Sequence, residues 1–90
     1  MAKSFQLQII TQEKKIFDEA VTSLTLPGED GYFGVLADHA PLVAALGKGR
    51  LTLKQGENQV REFEIDGGFM EVLDNVAMVL VDSLVAPSAA

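Results

Sequence analysis

The fold is set by one stretch in the second half of the chain, residues 60–85, which reads VREFEIDGGFMEVLDNVAMVLVDSLV. Residues 60–65 place Phe63 and Ile65 opposite Glu62 and Glu64, which is the period of a strand with one buried face. The pairs Gly67-Gly68 and Asp74-Asn75 then interrupt the pattern, as turn residues do, and at Gly67-Gly68 we expect positive φ or a close backbone approach where the sheet bends. The run Val76–Val85 is almost continuously apolar, which predicts a strand covered on both faces and places the centre of the core there.

The rest of the chain is divided in the same way into short segments separated by turn residues. Phe5–Ile10 predicts a strand with Phe5, Leu7 and Ile9 on one face and Gln6 and Gln8 on the other. Further short strands are predicted at Ile16-Phe17, Ala20–Leu26, Tyr32–Leu36, Leu42–Leu46 and Arg50–Lys54. No segment has a convincing helical period. The sequence therefore predicts an all-β domain over residues 1–85, an antiparallel β-sandwich or flattened barrel of about ten short strands with no helical domain. Residues 86–90 are predicted to form a flexible tail.

Size, charge and composition exclude several functional classes. Ninety residues form a single domain, and the absence of cysteine excludes disulfides and thiolate metal sites. A net charge of −6 disfavours nucleic acid as a partner, because binding to phosphates depends on lysine and arginine. No apolar run approaches the ~20 residues that cross a bilayer, and the first strand begins too early to leave room for a signal peptide. We expect a soluble protein that stays where it is made.

Candidate catalytic and cofactor-binding residues are few. His39 is the only histidine, so it lacks partners for a metal site, and no nucleophile motif accompanies it or the adjacent Asp38. The structural alternative is a loop histidine that hydrogen-bonds the turn before Pro41, which is compatible with contact to a partner subunit. Gly47-Lys48-Gly49 lacks the length and the Gly-Lys-Ser/Thr ending of a phosphate-binding loop. We expect no catalytic site, no metal, no cofactor and no nucleotide binding.

The segment Gly31–Leu42 favours binding over catalysis. It reads GYFGVLADHAPL and sets two aromatic side chains between glycines in a predicted turn region. Aromatic side chains in such places more often contact a partner than catalyse. Neighbouring side chains on a strand face opposite ways, so one of Tyr32 and Phe33 should face outward. We expect it to be Tyr32, because a hydroxyl tolerates the wet rim of an interface.

Several motifs in a fixed order resemble those of one protein family. They are Gly34-Val35-Leu36, Asp38–Leu42, Gly47–Gly49, Ile65–Phe69, Glu71-Val72 and Asn75-Val76. Together they span nearly the whole chain and closely resemble the N-terminal β-sandwich of the epsilon subunits of F-type ATP synthases. The resemblance implies a non-catalytic rotor subunit in the central stalk. Such a subunit binds the gamma subunit, sits against the polar loops of the c-ring and helps couple proton-driven rotation to ATP synthesis.

The resemblance also implies which residues meet these partners. The loop that faces the c-ring falls at Asp30, Gly31 and Tyr32. The positions at which the family meets gamma fall at Thr11, His39 and Ala44. Many relatives carry an acidic residue where Tyr32 stands, so the tyrosine implies a more apolar or hydrogen-bonded contact with the ring.

The family's C-terminal helical hairpin restrains ATP hydrolysis, and in some members it binds ATP. It has no counterpart in these ninety residues, so we expect a subunit without the inhibitory arm. A naturally short subunit and a truncated one both fit the Ala/Pro/Ser tail after Val85. The expected location is peripheral, on the cytoplasmic face of a bacterial energy-transducing membrane or the equivalent organellar side.

One alternative functional class is a lipoyl or biotinyl carrier domain. In that class a lysine at a hairpin tip carries the prosthetic group, and Lys48 between two glycines is the candidate attachment site. The Asp-Lys-Ala or Met-Lys-Met flanks that such carriers usually show are absent here.

Overall fold

The computed structural model describes residues 3–85, which contain eight strands and no helix. The strands are β1 (Phe5–Ile10), β2 (Lys15–Val21), β3 (Ser23–Gly28), β4 (Gly31–Val35), β5 (Leu42–Gln55), β6 (Gln59–Leu73), β7 (Val76–Val81) and β8 (Leu84–Val85). None of these residues forms a helix long and apolar enough to cross a membrane. The predicted tail at 86–90 lies outside the described residues.

All eight strands belong to one hydrogen-bonded sheet. Its order is β2-β1-β7-β6-β5-β3-β4, and β8 pairs with β6 beyond the end of β7. The sheet curls but does not close, and the side chain of Gln55 in β5 reaches the edge strand β2 by donating to the carbonyl of Ala20 at 3.0 Å. The all-β prediction is confirmed. One pair departs from the expected antiparallel arrangement, because β1 and β7 run parallel.

The structure has eight strands over residues 3–85, where the sequence predicted about ten, because two of them are long. Leu42–Leu46 and Arg50–Lys54 were expected as separate strands, but both belong to the 14-residue β5. The segments before and after Gly67-Gly68 likewise form the 15-residue β6. The glycines mark places where the strands bend and change the face they bury: in β5 the buried side chain Leu46 is even-numbered, whereas Leu51 and Leu53 are odd-numbered.

The core is formed by the inward side chains of both halves of the sheet and is entirely apolar in the described residues. Its most deeply buried large side chains include Leu7, Ile9, Leu24, Leu26, Leu51 and Leu53. No buried side-chain nitrogen or oxygen of residues 3–85 lacks a hydrogen-bond partner. The stability of the domain therefore comes mainly from apolar burial, at about 25 cal/mol for each Å² removed from water.

Candidate functional site

The most unusual surface of the molecule is the outer side of the sheet around β7. Along β7, Ala77, Val79 and Val81 point into the core, so the alternate side chains point outward. In the neighbouring strands, Phe69 pairs with Leu80, Glu71 pairs with Met78, and Val43 pairs with Glu71. These pairings bring four apolar side chains together, and we call them the outer apolar face: Val43, Phe69, Met78 and Leu80.

The outer apolar face is well exposed. Val43 is 71% exposed, Phe69 61% and Leu80 47%, and Glu71 is the acidic side chain among them. Large apolar patches of this kind mark sites where another molecule binds. The run Val76–Val85 had predicted a strand covered on both faces, but the described residues cover only its inner face. The run is therefore a signal, missed in the sequence, of an outer face that is apolar without being covered by any of residues 3–85.

Thr11 lies at the rim of the outer apolar face. It follows β1 directly and lines a shallow depression together with Phe69 and Leu80. A tight turn holds it there, because the Thr11 amide donates to the carbonyl of Lys14 at 2.9 Å and the Thr11 hydroxyl accepts from the amides of Glu13 and Lys14, each at 3.4 Å. Of the three residues predicted to contact gamma, it is the one beside Phe69 and Leu80.

His39 lies at the other end of β1 and β7, in the loop between β4 and β5. Its Nδ1 is 2.7 Å from the carbonyl of Ala40, so the predicted hydrogen bond to the turn before Pro41 is confirmed. The adjacent Asp38 is joined to the β6–β7 turn, and the pairing of β1 with β7 places that turn about 13 Å or more along the strands from Leu80.

Ala44 points away from the outer apolar face. It pairs with the buried Met70 and packs, half-buried, against the core, whereas its neighbour Val43 is exposed. The structure thus does not gather Thr11, His39 and Ala44 into one patch, and their contact with gamma stays a prediction.

The three residues predicted to face the c-ring do lie together. Asp30 lies in the exposed turn between β3 and β4, and Gly31 and Tyr32 are the first two residues of β4. Tyr32 is 61% exposed while Phe33 packs against the core, so the predicted outward orientation of Tyr32 is confirmed. We call residues 28–32 the tip.

A set of hydrogen bonds, here called the latch, fixes the loop that carries His39. The Asp38 amide donates to Asn75 Oδ1 at 2.6 Å, and Asn75 Nδ2 donates back to Asp38 Oδ1 at 2.9 Å. Lys3 Nζ lies 2.8 Å from the other carboxylate oxygen of Asp38. Asp38 and Asn75 both have positive φ, 66° and 63°, which is tolerated at such turn positions. The hydrogen bond from Asn75, and then the Lys3 ammonium, hold the pKa of Asp38 below its usual value.

The comparison with known families decides the class of this protein. Residues 4–87 match the family model described as "ATP synthase, Delta/Epsilon chain, beta-sandwich domain". The chain belongs to the delta/epsilon chain family of ATP synthase. The resemblance seen in the sequence is therefore confirmed, and the sandwich architecture with it.

Curated epsilon chains of bacteria support the assignment. The epsilon chain of Leptospira borgpetersenii is 42% identical over 90% of this chain and 63% of its own length. The epsilon chain of Chlorobium limicola is 42% identical over 91% of this chain and 93% of its own length. The chain thus spans less than two thirds of the Leptospira relative but nearly all of the Chlorobium one.

Solved ATP synthases contain the same fold. A chain in the cryo-EM structure of the Euglena gracilis mitochondrial ATP synthase matches with a TM-score of 0.87 and 28% identity, over 92% of this chain and 53% of that one. A chain in a Tetrahymena thermophila structure of the central stalk and c-ring matches with a TM-score of 0.79 over 94% of this chain and 68% of that one. At 16% identity, the second match shows the fold alone.

Membership of the epsilon-chain family leaves no support for the carrier alternative, and the position of Lys48 contradicts its premise. Lys48 lies within β5 and pairs with Asp66 of β6, so it is not at a hairpin tip. The two glycines that suggested a turn mark the bend of a continuous strand. Nearby, Arg50 lies 3.6 Å from both Glu62 and Glu64, which forms an exposed charged ladder. Within residues 3–85, no three His, Asp or Glu side chains are grouped so that they could hold a metal ion.

In this epsilon-family sandwich the latch should affect how the stability of the domain changes at acidic pH. We predict that Asn75→Gly raises the pKa of Asp38, because glycine accepts the φ of 63° but its hydrogen cannot replace the side-chain amide as a donor. A carboxyl group whose pKa is lowered by folding adds stability above its unfolded pKa of about 3.9, and this stability is lost as the pH falls through the folded pKa. The fall in stability below about pH 4 should therefore be steeper in the parent than in Asn75→Gly.

An NMR titration of the Asp38 carboxyl group and urea unfolding at several pH values would measure both effects. Asp74→Gly is the matched control, because Asp74 occupies the neighbouring turn position with a φ of 49° and makes no side-chain hydrogen bond to the loop. An Asp38 pKa that is the same in the parent and in Asn75→Gly would contradict the assignment.

Proposed function

We propose that this chain is a non-catalytic rotor subunit of a rotary, proton-translocating ATP synthase. It docks the gamma subunit onto the c-ring and so helps to couple rotation to ATP synthesis. Family membership and one observation support this: a β-strand that is apolar on both faces has only one face covered by the chain's own described residues. The uncovered face needs a partner, and the partner that fits the family is gamma.

The outer apolar face is the proposed gamma-docking surface. Phe69 lies at its centre, paired with Leu80 on one side, and residues with large exposed apolar area near the centre of an interface commonly supply most of the binding energy. Glu71 is exposed within the same face, so a lysine or arginine of gamma would complement it. Thr11 would contact gamma at the rim. His39 would do so from the latched loop, and Ala44, whose side chain points away from this face, would do so beside Val43 on β5.

The tip is the proposed c-ring contact. Asp30 and Gly31 are exposed at the turn, and the Tyr32 ring stands beside them, so a charge, an accessible backbone and an aromatic surface lie together. Polar loops of the c-ring offer matching hydrogen-bond donors and acceptors. Through these contacts the chain would lie at the surface of the membrane, peripheral to it, on the cytoplasmic side or its organellar equivalent.

Purification of the affinity-tagged chain from membranes of its native host tests the proposal. We expect gamma and the c-ring to co-purify in detergent, and gamma alone to remain bound once the ring has been removed. A tagged chain with the outer apolar face left intact but with Val60→Asp serves as a control, because Val60 is an exposed apolar residue on the other half of β6. Recovery of the chain without gamma would contradict the proposal.

A further inference from the structure

We propose that Tyr32 is a positioning residue whose hydroxyl fastens the tip to β5, an inference that rests on the proposed function only in that the tip meets the c-ring. The Arg50 amide donates to the Tyr32 hydroxyl at 3.0 Å. Tyr32 sits on β4 and is paired with Pro27 on β3, whereas Arg50 is on β5. The tyrosine side chain therefore crosses over β3 to reach the next strand but one.

A gap in the sheet explains why the Arg50 amide is available. Pairing between β3 and β5 holds at Thr25 with Thr52 and resumes only at Gly28 with Leu46. Two residues of β3 thus face five residues of β5, and the regular ladder is broken over residues 47–51. A backbone amide left without an acceptor costs free energy, and the phenol oxygen supplies the acceptor that β3 does not.

Gly49 makes room for this contact. A Cβ at position 49 would lie 2.6 Å from the Tyr32 hydroxyl and 2.7 Å from Pro27 Cβ. The φ of Gly49 is not among the positive values in the chain, so the backbone conformation does not itself require glycine. Glycine is required at position 49 because Tyr32 and Pro27 approach the backbone closely there. Two features of the sequence, the hydroxyl at 32 and the missing side chain at 49, thus serve the same contact.

The position of the tip in the sheet makes such a fastening useful. The sheet ends at β4, which pairs with β3 and has no strand on its other side within residues 3–85. Beyond the broken part of the β3–β5 ladder, the turn between β3 and β4 is held to β5 at Gly28, which pairs with Leu46. The hydrogen bond that the Arg50 amide of β5 donates to the Tyr32 hydroxyl of β4 adds a second attachment and fixes the direction in which Asp30 and Gly31 are presented.

The first test measures amide hydrogen exchange of the whole chain by NMR. In Tyr32→Phe the ring stays but the acceptor is lost, so the Arg50 amide should exchange about tenfold faster, the change expected for losing one hydrogen bond of roughly 1.4 kcal/mol. The Thr52 amide, beyond the gap, should be unchanged. Gly49→Ala, which displaces the tyrosine without altering it, should free the same amide. Equal Arg50 exchange in the parent and in Tyr32→Phe would overturn the proposal.

The second test measures affinity for a purified gamma–c-ring complex and for gamma alone. If the hydroxyl positions the tip, Tyr32→Phe should weaken binding to gamma–c-ring nearly as much as Tyr32→Ala, with no change for gamma alone. Full affinity in Tyr32→Phe with weak binding in Tyr32→Ala would show that the aromatic ring of residue 32 contacts the partner directly. That result would overturn the positioning role of the hydroxyl. Full affinity in both variants, with the Arg50 amide freed, would instead show that the tip does not meet the c-ring.

Discussion

Gly68→Ala is expected to unfold the domain or to lower its free energy of unfolding by at least about 3 kcal/mol. Gly68 has a φ of 146°, a conformation that side chains rarely adopt. A Cβ there would also overlap the carbonyl oxygen of Leu80 and lie 2.9 Å from Val81 Cα. Both are backbone atoms of β7, so the clash cannot be relieved by rotating a side chain. Relief requires β6 and β7 to separate at the centre of the sheet.

Urea unfolding followed by circular dichroism measures this effect, and two other glycines separate its causes. Gly56 has a φ of 79° and open space where a Cβ would stand, so Gly56→Ala should cost only the backbone strain, about 1 kcal/mol. At Gly34 a Cβ would make an ordinary contact at 3.7 Å and the φ is not positive, so Gly34→Ala should change stability little. A Gly68→Ala protein as stable as Gly56→Ala would show that the close approach of β7 is not limiting.

Phe69→Asp is expected to weaken binding to gamma by at least ~30-fold, which corresponds to about 2 kcal/mol. The side chain is 61% exposed and lies in the middle of the outer apolar face, so its loss removes a large contact area and places a carboxylate near Glu71. Stability should change little, because the ring does not belong to the buried core. The change should therefore appear in assembly and leave the fold intact.

Affinity for purified gamma, measured by calorimetry, tests this prediction alongside the thermal unfolding temperature of each variant. Val60→Asp is the matched control, since Val60 is a 51% exposed apolar residue on the same strand but on the half that lies away from the outer apolar face. It should bind gamma like the parent. Unchanged gamma affinity in Phe69→Asp would remove the outer apolar face from the interface and leave the rim and loop residues as the candidates.

Much of the fold could be predicted because local patterns and tertiary packing agree. The alternation of Phe5, Leu7 and Ile9 with Gln6 and Gln8 predicts a strand, and in the structure every second side chain of Phe5–Ile10 is buried. Asp74 and Asn75, both with positive φ, form the expected turn between β6 and β7. The expected bend at Gly67-Gly68 is also present, and the adjacent chain does approach closely there.

The features that could not be predicted are those whose sequence pattern fits more than one structure, or that leave no local pattern. The sequence predicts a turn between strands at Gly47–Gly49, but a bend within one strand breaks the period-two pattern in the same way. Only the pairing with β6 shows that β5 continues through these residues. The parallel pairing of β1 with β7 links residues far apart in the chain, which no local pattern encodes.

The proposed interface shows the same limit at the level of single residues. Ala44 and Val43 are neighbours on β5, and a shift of one residue moves a side chain from the core to the outside. Alternation alone could not assign the faces in a strand that changes its buried face midway. The continuous apolar run of β7 did indicate that both faces of this strand are covered. The sequence does not say whether the outer face is covered by the same chain or by a partner.

The long strand β5 passes through both proposed contact regions. Val43 belongs to the outer apolar face, and Leu46, three residues later and ~10 Å along the strand, pairs with Gly28 of the tip. In the proposed rotor, torque that enters at one partner would thus reach the other as tension along covalent bonds, with little compliance from side-chain packing in between. A domain of this size can then behave mechanically as a short, stiff link.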